Sequence, residues 1–77
     1  MTYLVKRIVL KNGRLLTERD LDARAYTFEG EPPVVGDVVE FPHEGRSLSA
    51  KVIWGNWPGR TGQRHPLEIV PIRVEEL

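Results

Sequence analysis

The chain has no cysteine, which excludes disulfide staples and thiolate-bound metal. Its two histidines, His43 and His65, are not at a metal-ligand spacing. His43-Glu44 opens like a zinc-protease motif, but Gly45 follows and Ser47 stands where the second histidine belongs. No metal and no cofactor are expected. Net charge is also absent, with 11 Lys and Arg against 11 Asp and Glu, so the basic excess of strong nucleic-acid binders is missing. No apolar run approaches the roughly 20 residues that cross a bilayer, and membrane partners are not expected. The opening MTYLVKRIVL is interrupted by Lys6 and Arg7 without a following small-residue cleavage site, unlike a secretory leader. The expected location is cytoplasmic.

What remains is one small domain, residues 1–77. With 77 residues, 40% of them hydrophobic, the chain has enough apolar mass for a single modest core. The neutral total conceals segregated charge. Positions 1–17 carry +4, positions 18–44 carry −6, positions 45–67 carry +4 and the tail carries −2. Two basic segments brought together by folding would form a local positive face; mutual pairing of the blocks across the fold is the alternative.

Short runs of Tyr, Val, Ile and Phe broken by Gly and Pro predict an all-β domain with no long helix. A first strand spans roughly 3–11 and ends at Asn12-Gly13, a pair suited to a type I′ turn, with Arg14 to Leu16 beginning the return. In TERDLDAR, Thr17 and Asp20 predict at most one short helical turn or an irregular excursion. Strand character returns from about Ala23 to Phe28. EGEPPVVG is a connector, because Pro32 and Pro33 cannot donate to a ladder. In the next strand Val39 and Phe41 share one face and Glu40 the other, and His43 to Arg46 make a turn. Leu48, Ala50, Val52 and Trp54 then share one face of the return strand, which places Trp54 in the core. A last strand over Leu67 to Val74 turns Val70, Ile72 and Val74 inward, and Pro71 points to an edge position or a bulge. Five or six such strands predict a small, partly open SH3-like barrel, with an OB-like barrel as the alternative.

The stretch VVGDVVEFPHEGRSLSAKVIW is similar to a hairpin of SH3-like and Tudor-like barrels, through Gly36, Asp37, Val38, Val39, the turn His43 to Arg46, Ala50 and Val52. More narrowly it resembles the Tudor-like domain of the CarD family of RNA-polymerase-binding regulators, matched by Gly36-Asp37, Phe41-Pro42 and His43-Glu44-Gly45. Glu44 separates the histidine from the glycine, and about 35 residues precede the motif. The resemblance implies a protein or nucleic-acid interaction role without catalysis.

The chemistry-bearing stretch is GNWPGRTGQRHP, residues 55–66, which suits neither helix nor strand. Loops of that length in compact domains tend to be functional or disordered. Trp57 offers a flat apolar surface, and Arg60, Arg64 and His65 offer groups that bind carboxylates or phosphates. Arg46 and Lys51 on the preceding hairpin extend the candidate site, joined by Lys6 and Arg7 if the first strand lies alongside. A lid role for Trp57 with solvated arginines is the plain alternative. Ser47, Ser49 and His43 lie across one turn, but outward serines on a hairpin are commonplace and no phosphate-binding motif accompanies them. The expected function is a non-enzymatic binding module making a protein–protein contact in an assembly or regulatory complex. The alternatives are a nucleic-acid-binding barrel using the 55–66 loop and, further off, a small enzyme or enzyme subunit.

Overall fold

The computed structural model describes residues 1–56 and 69–77. They form six strands and, among the described residues, no helix: β1 (Thr2–Val9), β2 (Leu15–Leu16), β3 (Thr27–Glu29), β4 (Val38–His43), β5 (Arg46–Gly55) and β6 (Ile69–Glu76). All belong to one sheet in the order β2-β1-β6-β5-β4, with β3 beside β2 on the same edge of β1. The small all-β architecture expected from the short apolar runs is the one observed. Its sheet is not closed into a barrel, since β4 and the β2/β3 edge share no ladder.

Closure is made by side chains instead. The sheet curls so that rings from its opposite edges meet: Tyr26 beside β3 packs edge-on against Phe41 of β4 at 6.0 Å between centroids, and Phe28 lies 6.0 Å from the same ring. Beneath this seam lie the inward residues of the central strands. Val5, Ile8, Leu48, Val52, Val70, Ile72 and Val74 are fully buried, and Leu16 and Leu21 cap the end. Each such side chain contributes about 1.5–3 kcal/mol.

The turns explain the register. At Asn12-Gly13 only the glycine has positive φ, at 87°, so the turn is not type I′. The Gly13 N–H donates to Leu10 O and the Leu10 N–H to Arg14 O, both at 2.9 Å. This is a three-residue loop ending in a left-handed residue. Asn12 Oδ1 accepts the Arg14 N–H at 2.9 Å and fixes it. The mirror-image turn occurs in the other hairpin. Glu44 and Gly45 have φ of 48° and 78° between the paired His43 and Arg46, with glutamate in a position that favours asparagine or glycine. Between β2 and β3, Thr17 and Asp20 bond reciprocally, and the Leu21 N–H reaches Thr17 O at 3.1 Å. That single turn lowers Leu21 into the core.

Pro71 lies neither on an edge nor at a free end, because β6 is central. Its carbonyl accepts the Asn56 N–H at 3.1 Å, just past the last β5 residue, Gly55. Its missing N–H points to that same side, where the β5 ladder has ended, so no ladder bond to β1 is lost. Two register shifts flank the next residues. β1 slips by one at Lys6, between Val5 and Arg7, and β5 slips by one at Ile53, between Val52 and Trp54. The first lies at the step from Ile72 to Arg73 and the second at the step from Arg73 to Val74, so the two shifts flank Arg73.

Candidate functional site

The paired bulges decide what the outer face of the sheet presents. A bulge sets two residues against one and re-aims the side chains beyond it. On β5 it turns Trp54 away from Leu48, Ala50 and Val52, so the core position expected from alternation is wrong: Trp54 is 37% exposed. On β1 the slip sets Arg7 opposite Arg73, while Ile8 returns to the core. The result is a row across three strands, Arg7–Arg73–Trp54. The Arg73 guanidinium lies over the indole at 4.2 Å from the ring centroid, a cation–π contact that also fixes the side chain.

The row carries two positive charges on directly opposed residues, an arrangement that costs stability unless something neutralises it. Two of the other cations have acidic partners: Lys6 Nζ lies 3.3 Å from Glu18, and Arg46 Nη1 lies 3.2 Å from Glu76. Among the described residues, Arg7 and Arg73 have no such acid. Their Nε atoms are both buried and without a hydrogen-bond partner. On one side of the row stand Leu4 and Pro71, and on the other Val9, Glu75 and Lys51. Exposed Ile53, Ile69, Leu15 and Val38 extend the apolar part of the surface.

The expected site residues fall in different places. Lys51 lies on this outer face, one row from Arg73, with its backbone opposite Glu75. Arg46 has the parity of Leu48 and Ala50 and belongs to the other side of β5, held by Glu76. The two therefore do not form one patch. Of the pair expected to join them, Arg7 does so across β6, whereas Lys6 is drawn off by Glu18. Trp57, Arg60, Arg64 and His65 lie outside the described residues, as does most of the 55–66 loop. Trp54 and Arg73, the residues missed as binding candidates, were hidden by a bulge and by the pairing of strands more than sixty residues apart.

His43 is not a turn residue. It is the last residue of β4, shares the parity of Val39 and Phe41, and is 5% exposed. Its Nδ1 is hydrogen-bonded to Tyr26 Oη at 2.6 Å, across the seam. Its Nε2 lies 4.0 Å from the exposed Glu44 carboxylate. Burial, then the nearby charges of Glu44 and Asp22, push the Tyr26 phenol above its ordinary pKa. That direction keeps it a neutral hydrogen-bonding group and opposes a role as a nucleophile. The depression near the hairpin tip, lined by Glu40, Phe41, Pro42, Gly45, Arg46 and Ser47, is open to solvent. A cavity of about 40 Å³ under Leu4, Val5, Glu18, Leu21 and Ala23 has space only for solvent. Among the described residues no group of three or more His, Asp or Glu converges as metal ligands, and no helix is long and apolar enough to cross a membrane.

Glu76 ties together the end of the sheet at which β6 finishes. Its Oε1 accepts the Lys11 N–H at 2.9 Å and its Oε2 binds Arg46. The Lys11 backbone donor chiefly, with Arg46, lowers its pKa. Glu18 is lowered likewise, by a backbone hydrogen bond and by Lys6.

No protein-family model, curated protein or solved structure matches this chain.

Proposed function

We propose that this chain is a non-catalytic binding module that contacts a protein partner, within an assembly or regulatory complex, through the outer face of its sheet. The observation that carries the proposal is the Arg7–Arg73–Trp54 row: two arginines without an acidic partner among the described residues, beside an indole and an apolar fringe. Tryptophan and arginine dominate the energetics of protein contacts. The likeness of residues 36–52 to the hairpin of polymerase-binding regulators points the same way. The test is affinity capture from a cell extract with the unmodified chain and with Trp54→Glu. A partner retained by the first and lost with the second, while the variant stays folded, supports the reading. Equal retention removes it.

A second reading has one specific observation in its favour. An aromatic flanked by arginines is also a platform for a single-stranded nucleic acid, with the base stacked and the phosphates paired. Glu75 beside the row and Glu40 on the same face oppose it, since a continuous phosphate backbone would pass near both. Binding of a short oligothymidylate that weakens steeply with salt and disappears in Arg73→Gln would favour this second reading.

A further inference from the structure

We infer that Arg7 and Arg73 jointly hold a single carboxylate of the partner, from an acidic residue flanked by apolar ones in an extended peptide segment. The inference rests on the outer-face reading and adds the chemistry of its ligand. Four observations converge on it. First, the two guanidinium-bearing residues are directly opposed across β1 and β6, and nothing described neutralises them. Second, both Nε groups are shut off from water without a hydrogen bond, a cost that a ligand accepting from them would relieve. Third, the indole under Arg73 keeps that guanidinium in place before any ligand arrives, which lowers the entropy lost on binding. Fourth, the row is created by two bulges on either side of Arg73, Lys6 on β1 and Ile53 on β5, without which Arg7 and Trp54 would not share it.

The surroundings select the kind of anion. Along β6 the outer positions read Ile69, Pro71, Arg73 and Glu75: two apolar residues, one cation, one anion. A lone negative charge fits at Arg73, apolar side chains fit over Leu4 and Pro71 or over Ile53 and Trp54, and a second negative charge in the direction of Glu75 is repelled. A carboxylate between two guanidinium groups gains charge-assisted hydrogen bonds. It also relieves the repulsion between them.

The test is a titration of isotopically labelled protein with acetyl-Ser-Val-Glu-Leu-Ser-amide and with its Gln counterpart, to about 10 mM, following the Arg7 and Arg73 Nε–H signals, the Trp54 indole and the Ile53 methyl groups. The Glu peptide is expected to shift all four sites and to bind about tenfold more tightly than the Gln peptide. Arg7→Gln and Arg73→Gln should each remove most of that difference, whereas Arg46→Gln, on the other side of β5, should leave it within about twofold. Equal affinity of the two peptides, with shifts at Trp54 and Ile53, overturns the carboxylate inference and leaves the contact face standing. Shifts confined to other surfaces, or none with either peptide, overturn it as well, and a map centred elsewhere also removes the outer-face reading. If Arg73→Gln changes the melting temperature but not the Glu-to-Gln ratio, the pair is structural only. If Glu68→Gln alone reproduces the arginine shifts without peptide, the occupant is the chain's own acid. If an eight-nucleotide oligothymidylate displaces the peptide and depends on the same arginines, the ligand is a phosphate chain. Each of these last three results also overturns the inference.

Discussion

The substitution Tyr26→Phe isolates the hydrogen bond that closes the seam of the sheet. It keeps the ring that packs edge-on against Phe41 and deletes only the hydroxyl bound to His43 Nδ1 at 2.6 Å. Since His43 is 5% exposed, water cannot freely replace the lost partner, and an unsatisfied buried polar group costs about 1–3 kcal/mol. For a chain of this length each kcal/mol corresponds to roughly 4–8 °C in melting temperature. The expected fall is therefore about 8–16 °C for a loss near 2 kcal/mol. Thermal and urea unfolding of Tyr26→Phe, His43→Leu and the double variant form the assay. The double variant should lose less than the sum of the single losses, with a coupling of about 0.5–2 kcal/mol, because removing both partners leaves nothing unsatisfied. A Tyr26→Phe protein within about 0.5 kcal/mol of the unmodified chain, with additive singles, would refute the view that this bond joins the sheet edges.

Glu44 holds a left-handed conformation with φ of 48°, so Glu44→Asn should stabilise the β4–β5 hairpin by about 0.5–1 kcal/mol, seen as a higher urea midpoint at unchanged slope. Arg7→Gln relieves the opposition to Arg73 and should leave the free protein equally stable or more stable by about 0.2–1 kcal/mol, while weakening ligand binding; a clear loss of stability would show the pair to be structural. Glu76 and Glu18 have folded pKa values below their ordinary value of 4.5, so the unfolded chain binds more protons in acid. The stability they contribute is complete above that ordinary value and is lost as pH falls through the lowered ones. Melting temperature should drop below about pH 4.5, and Glu76→Gln should flatten that profile; an unchanged profile would contradict the role given to Glu76. Tyr26 has the opposite sign: its pKa is raised, so its contribution is present below pH 10 and lost as the buried phenol is forced to ionise. The alkaline limb of the same melting curve should be gentler in Tyr26→Phe.

Period-two alternation exposed the β4–β5 hairpin and the inward sets Val39 and Phe41, Leu48 to Val52, and Val70 to Val74, because those strands bury one face only. The pattern failed where the backbone departs from period two. The extra residue at Ile53 reverses the parity of Trp54, and nothing in the local composition marks a bulge. His43 was hidden for a related reason. The His-Glu-Gly run reads as a loop, but the tight turn occupies only Glu44 and Gly45, and the left-handed residue is a glutamate rather than the usual asparagine. Asn12-Gly13 did mark a turn, though of another type, since Asn12 bonds through its side chain instead of entering the left-handed region. The Arg7–Arg73 row was not legible because it depends on parallel pairing of the first strand with the last, and no local signal specifies that register. The charge blocks did contain the relevant fact, a first strand with cations and no acid, without showing where those cations go.

The most direct test of the outer face as the contact surface is site-specific photo-crosslinking in intact cells, with benzoylphenylalanine placed in turn at Ile53 and Val9 on that face and, away from it, at Arg46 on the other side of β5 and at Asp22 beside the Tyr26 seam. A discrete adduct from positions 53 and 9, reduced by Arg73→Gln and absent from positions 46 and 22, is the result the Arg7–Arg73–Trp54 site requires. An adduct formed from position 46 or 22 while Ile53 and Val9 stay unreacted would place the contact elsewhere and contradict it.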